Sequence, residues 1–296
     1  MTDNVHNRED ILEKYREAGR ILKIVREEAV ELIRPGKSLF ELADFVESKT
    51  IELGGKPAFP CNVSRNQEAA HATPKNGDTE VFGNDMVKLD IGVHVDGYIA
   101  DSAVTVDLSG NPDIKKAAEA ALAAAIDHVR PGVSTGEIGG VIEDCIRSYD
   151  LLPIMNLTGH GLSEYIAHDD PSVPNRRVEG GVLLKEGDVI AIEPFATNGA
   201  GLVHDGSWAE IYSLIRKKPV RMPAVRKVLK QIEEYKGLPF AKRWLEPEKL
   251  DFVMLQLEKA GVVHSYPVLL ENSNGMVAQA EHTVIVTADG CEITTK

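Results

Sequence analysis

Cysteine is scarce in this 296-residue chain. The three present, Cys61, Cys145 and Cys291, are odd in number and far apart, so they form neither a zinc-type pair nor a disulfide framework. That usage fits a reducing compartment. No apolar run approaches the roughly 18–20 residues that a membrane span needs, and the N-terminus is polar and charged, without the apolar stretch of a secretory signal. The expectation is a soluble, cytoplasmic protein with no membrane partner. Basic charge is also short: 33 Lys and Arg stand against 46 Asp and Glu, for a net charge of −13. A general nucleic-acid binder carries a basic patch or stripe. Here the densest basic runs, Arg216-Lys217-Lys218 and Arg226-Lys227, fall in one late segment. No nucleic-acid partner is expected.

What is present is strongly patterned. Ile11, Tyr15, Ala18, Leu22, Val25, Ala29 and Leu32 step by three and four and predict one long helix, stopped at Pro35-Gly36. A second helix follows through Leu39, Leu42, Phe45 and Val46 and ends near Gly54-Gly55. Met86 to Asp107 contains two β-rich runs around Asp96-Gly97, a hairpin signal. A third, alanine-rich helix runs from Pro112 to Val129 and meets Pro131-Gly132.

The two stops belong to a longer internal repeat. Arg34-Pro35-Gly36-Lys37-Ser38 is matched by Arg130-Pro131-Gly132-Val133-Ser134, and Ala70-His71-Ala72-Thr73-Pro74 by Ala167-His168-Asp169-Asp170-Pro171. Asp85 to Asp90 then resembles Asp188 to Glu193, always in the same order and about one hundred residues on. Two halves of like helix–helix–strand architecture follow, related by a pseudo-twofold. The second is longer, with helical patterns at Val225 to Tyr235 and Leu250 to Leu257 inside an insertion over about 216–266.

Chemistry-bearing residues cluster on this frame. A turn at Asp96-Gly97 makes Asp90 and Asp101 diagonal neighbours on one face of a largely apolar hairpin, where an unpaired carboxylate is costly. A divalent metal would neutralise them; equally, one could cap a turn while the other meets solvent. Glu193 closes the strand Val189 to Ile192, and Glu281 precedes the strand His282 to Val286. Taken singly, each fits an exposed strand end, but the repeat sets Glu193 where Asp90 stands in the first half. His160, between Gly159 and Gly161, suits a close-approach ligand or any tight turn. Carboxylates with one imidazole suit Mn, Fe(II) or Co better than structural zinc. His71 and His168 are the repeat-matched histidines, better suited to hydrogen bonding a substrate or a developing oxyanion than to ligation.

In this order Asp90, Asp101, His160, Glu193 and Glu281 resemble the metal ligands of the pita-bread metallopeptidases, a family that includes methionine aminopeptidases and prolidases. The strings Ala69-Ala70-His71-Ala72-Thr73-Pro74, Leu89-Asp90-Ile91-Gly92, Ile192-Glu193-Pro194-Phe195 and Gln279-Ala280-Glu281-His282-Thr283 are similar to the methionine aminopeptidases. The insertion before the last glutamate resembles their type 2 branch, in its short, archaeal-like form. The likeness runs from near residue 8 to the C-terminus.

It implies an α+β pita-bread fold with a central antiparallel sheet, in one catalytic domain over 1–296. It further implies two divalent ions (Mn, Fe(II) or Co, with Zn admitted) and removal of the initiator methionine from nascent polypeptides when the next residue is small. His71 and His168 then become catalytic and substrate-binding, with Glu193 also taking a proton. Phe59, Phe195, Ala167 and Tyr266 would line the methionine pocket, while His204 takes no clear role. A monomer is expected, with transient ribosome association. The rival readings are a binding protein of this fold that has lost its metals and a dipeptidase cleaving before proline.

Overall fold

The computed structural model describes residues 2–218, 222–246 and 249–296. In the first half, α1 (Thr2–Val30) turns Tyr15, Ala18, Leu22, Val25 and Ala29 into the core, the stripe its spacing predicts. It packs on a hairpin that lies later in the chain. α2 (Leu39–Glu52) starts at Ser38, whose side chain accepts from the Glu41 amide and so satisfies one free helix-end donor. Then come β1 (Lys56–Pro57), β2 (Asn62–Arg65), β3 (Glu68–Ala70), β4 (Met86–Val95) and β5 (Tyr98–Asp107). β4 and β5 turn at Asp96 (φ 51) and Gly97 (φ 95), a pair of left-handed residues that matches the twist of the strands. The resulting register sets Asp90 opposite Ala103 and Gly92 opposite Asp101, as the sequence predicts.

The second half opens with α3 (Pro112–His128) and α4 (Thr135–Arg147), the latter held by a capping box between Ser134 and Glu137. It continues through β6 (Leu152–Pro153), β7 (Thr158–Ser163), β8 (Ile166–Pro174), β9 (Val189–Ile192), β10 (Phe195–Thr197) and β11 (Val203–Leu214). After the insertion come β13 (Val263–Glu271), β14 (Val277–Gln279), β15 (His282–Val286) and β16 (Cys291–Ile293).

The internal repeat is real at the level of single hydrogen bonds. Gly36 N donates to Phe82 O at 2.7 Å, and Gly132 N donates to Leu184 O at 2.8 Å. Leu39 N reaches Glu80 O at 3.1 Å, and Thr135 N reaches Val182 O at 3.0 Å. The isolated bridges Ser38–Val81 and Ser134–Leu183 complete the match.

Two antiparallel sheets carry the halves. One places β4 between β1 and β2 at its two ends, with β5 along its length; the other runs β16-β15-β9-β7-β8. They meet along β5 and β14–β15 through side-chain hydroxyls. Ser102 Oγ donates to Glu281 O at 2.7 Å, Thr105 Oγ1 to Gln279 O at 2.7 Å, and Thr283 Oγ1 to Asp101 O at 2.8 Å. Each half keeps its own apolar core, α1 and α2 against the first sheet and α3 and α4 against the second. The helices thus cover the outer faces, which leaves the seam for the polar residues.

The insertion is described apart from 219–221 and 247–248. It contains α5 (Pro223–Ile232), β12 (Phe240–Ala241), a 3₁₀ turn at Lys242–Trp244 and α6 (Leu250–Lys259). Val228, Ile232, Phe240, Met254 and Leu257 form a core of its own. It sits between β11 and β13, which pair with each other, and β3 joins the same sheet beyond β13. Tyr266, at the far edge of the expected insertion, lies on β13 opposite Ile211. None of the helices among the described residues is long and apolar enough to cross a membrane.

Candidate metal centre and substrate cavity

Four carboxylates and one imidazole converge at the seam. Asp90 and Asp101 come from β4 and β5; His160 comes from β7; Glu193 and Glu281 stand at the ends of β9 and β15. Ligand-capable atoms of Asp101, His160 and Glu281 all lie within 4.8 Å of one another. His160 Nε2 is 3.7 Å from Asp101 Oδ2 and 3.5 Å from Glu193 Oε1. These five side chains form one wall of a cavity of about 290 Å³.

Burial makes this cluster electrostatically expensive without a partner. Desolvation pushes Asp90 up to about 7 from its ordinary value. It also raises Asp101, with the Asp90 and Glu193 charges adding to the shift. Glu193 and Glu281 are raised for the same reasons, burial first and neighbouring carboxylates second. His160 moves the other way, down to about 3, through burial and then the neighbouring His168. Its imidazole is therefore neutral. Nδ1–H donates to Gly161 O at 3.1 Å, an arrangement that leaves the Nε2 lone pair facing the acids.

The donor set fits divalent metal. Buried oxygens Asp90 Oδ1 and Asp101 Oδ1 accept no hydrogen bond from the protein, which for a carboxylate calls for a cation. Four negative charges and one neutral nitrogen balance two divalent ions.

His71, His168, Phe59, Phe195 and Tyr266 face the same space. His168 lies on β8 with its ring 4.4 Å from that of His160. His71 follows β3 at a left-handed φ of 65°, and its Nδ1 lies 3.3 Å from Pro267 O. Both rings are held below the ordinary imidazole range by burial, His71 down to about 4 with a further push from His168. Phe59, Phe195 and Tyr266 line the cavity, and Tyr266 meets the His71 ring edge-on at 5.6 Å.

Ala167 does not line the cavity. It packs with Phe59, Ile99 and Leu162 in the adjoining core, because its neighbour His168 occupies the cavity side of β8 and side chains alternate along a strand. His204 is exposed and pairs with Asn272 at 2.8 Å.

Two residues at the centre went unpredicted. Gln279 Nε2 donates to Glu193 Oε2 at 3.2 Å and lies 3.5 Å from Glu281 Oε2. Asn62, paired with Asp90 across β2 and β4, reaches Asp90 Oδ2 at 3.5 Å. A signal for Gln279 was available, since in Gln279-Ala280-Glu281 an extended backbone puts both polar residues on one face. Asn62 offers none, because its partner strand is fixed only by tertiary pairing. Pro239 and Leu269 complete walls that no local pattern marks.

Two like halves that deliver four buried acids and a neutral histidine to one central cavity define a metallohydrolase class. Residues 13–288 match the profile of metallopeptidase family M24, and the chain belongs to that family. It is 54% identical over 290 residues to a methionine aminopeptidase of Archaeoglobus fulgidus, with 97% of this chain and 99% of that one covered. A methionine aminopeptidase structure from Thermotoga maritima is similar at TM-score 0.72 and 23% identity, covering 97% of each chain. A thermophilic Arx1 superposes at TM-score 0.84 with 20% identity, covering 96% and 90% of the two chains. The fold is the α+β pita-bread fold.

Proposed function

We propose that this chain is a methionine aminopeptidase that removes the initiator methionine from nascent polypeptides when the next residue is small. The observation that carries the reading is the cavity itself, which has metal-ligand chemistry on one wall, two neutral histidines beside it and aromatic side chains opposite. The similarity to curated methionine aminopeptidases over almost the whole chain supports it.

Asp90, Asp101, His160, Glu193 and Glu281 would hold two divalent ions, Mn, Fe(II), Co or Zn, which when bound would supply Lewis acidity and a low water pKa. Every other step belongs to the chain's own groups. Phe59, Phe195 and Tyr266 receive the methionine side chain and keep water off the scissile bond. The substrate's free amine turns toward the acids, so only a chain terminus fits. Glu193 takes a proton from the attacking water as its oxygen bonds to the carbonyl carbon, then passes that proton to the departing amine as the C–N bond breaks. His168 donates to the developing oxyanion, while His71, whose Nδ1–H points at Pro267 O, accepts from the scissile amide N–H at Nε2, both as neutral imidazoles. The protein works in the cytoplasm as a single catalytic domain and a monomer, with transient ribosome contact.

The test is methionine release from Met-Ala-Ser and Met-Lys-Ser by metal-free protein resupplied with Mn, Co or Zn. Metal-dependent cleavage of the first peptide alone is expected. Folded protein that releases methionine with none of the metals would overturn the reading in favour of a binding role.

A further inference from the structure

The helical insertion is tied to the first half by a buried polar knot. Arg243, on the 3₁₀ turn of the insertion, forms an ion pair with Glu47 of α2, and their side chains are only 6% and 13% exposed. The other carboxylate oxygen, Glu47 Oε2, accepts from Trp244 Nε1 at 2.7 Å. Glu47 Oε1 also accepts from the Cys61 amide at 3.2 Å. On its second arm, Arg243 Nη1 donates to Thr73 Oγ1 at 2.8 Å and to Pro74 O at 3.1 Å. Thr73 Oγ1 in turn donates to Cys61 O at 2.7 Å. A guanidinium suits this task because its planar fork serves two directions at once.

Both segments that the knot grips lead into the site. Thr73 and Pro74 follow His71 by two and three residues, and Cys61 precedes Asn62, the partner of Asp90. His71 holds a left-handed backbone, a conformation that a residue with a Cβ adopts only when its surroundings impose it. On one side the imposing contact is Pro267 of β13; on the other it is the loop that Arg243 fixes. The same insertion supplies Pro239 to the cavity wall.

We infer that Arg243 and Glu47 are positioning residues, which clamp the insertion onto the His71 loop and so set where the His71 ring stands over the cavity. The inference rests on the reading of His71 as a substrate-binding group. It predicts that the knot acts on turnover through His71 and leaves the metal ligands alone.

A double-mutant cycle tests this. Thr73→Val deletes only the hydroxyl link, and the paired change Glu47→Gln with Arg243→Met removes both buried charges together. Each is measured in the wild-type and the His71→Ala background, as kcat/KM for Met-Ala-Ser with Mn-loaded protein and as Mn affinity. Misplacing a substrate-contacting group costs about tenfold to a hundredfold, so each knot variant should lower kcat/KM by about tenfold or more in the wild-type background. In the His71→Ala background the further loss should fall below about threefold, the non-additivity expected of groups acting through one another. Mn affinity should not change. Losses that multiply in full, or a Thr73→Val protein with wild-type kcat/KM, would overturn the clamp and leave the aminopeptidase reading standing. A fully active His71→Ala protein would instead remove the role of His71 and the clamp with it. If the paired variant does not fold, Thr73→Val decides alone.

Discussion

In metal-free protein the acid cluster should add stability on acidification, against the usual behaviour of paired carboxylates. The buried imidazoles of His71, His94 and His282, held down to about 4, and of His160, held down to about 3, act in the opposite direction. Asp90 has an ordinary value of 3.8 and rises to about 7 in the fold. Between those values the folded chain holds a proton that the unfolded chain has released. Stability is therefore fully present below pH 4 and lost as pH rises through 7. One extra bound proton is worth about 1.4 kcal/mol per pH unit, and because Asp90 is half protonated at pH 7, lowering the pH from 7 to 5 should add about 2 kcal/mol from this group. In a chain of this size that contribution is worth about 4 °C in Tm. Asp101, Glu193 and Glu281 are shifted in the same direction and steepen the trend. With metal bound the sign reverses, because protons compete with the ions for the same oxygens. The assay is thermal unfolding of EDTA-dialysed protein from pH 5 to 8, beside the Mn-loaded form. Because acidification also relieves the repulsion of a −13 chain and charges the buried histidines, the acid contribution is read as the difference from Asp90→Asn with Asp101→Asn protein, whose Tm should gain less, or fall further, toward pH 5. A control that keeps the wild-type slope would refute the reasoning.

Gln279→Leu removes the amide that steadies Glu193 and Glu281, and metal affinity by calorimetric titration should fall by about tenfold to a hundredfold. His168→Ala should keep its metal content but lose on the order of a hundredfold or more in kcat, as expected when an oxyanion donor is removed. Gly92→Ala would place a methyl 2.3 Å from Phe59 Cε1. Moving that ring should cost about 1–3 kcal/mol in denaturant unfolding and raise KM for methionine peptides more than it lowers kcat.

Much of the frame is legible because the chain repeats itself and marks its turns. Asp96-Gly97 sets the hairpin register, and that register alone makes Asp90 and Asp101 neighbours. The helix α1 follows from its stripe, and the second half from its likeness to the first. Resemblance to known metallopeptidases extends this to the full set of five converging side chains. The pocket is harder to read. Ala167 was expected in it from the family resemblance, yet it adjoins His168 on β8, and adjacency along a strand puts two side chains on opposite faces. Arg243 is beyond any local reading, since its partner Glu47 lies 196 residues away. A polar residue in a short turn looks solvated until tertiary packing closes over it.

The seam between the halves also dictates an order of assembly. Asp90 and Asp101 share a local hairpin that can form early, whereas the contact of Ser102 with Glu281 spans 179 residues. Loops of that length close late in folding. A chain leaving the ribosome therefore offers a two-carboxylate half-site long before Glu281 has been synthesised. Tight uptake of metal becomes a signal that the last strands have docked, so hydrolytic capacity arrives only with the finished fold.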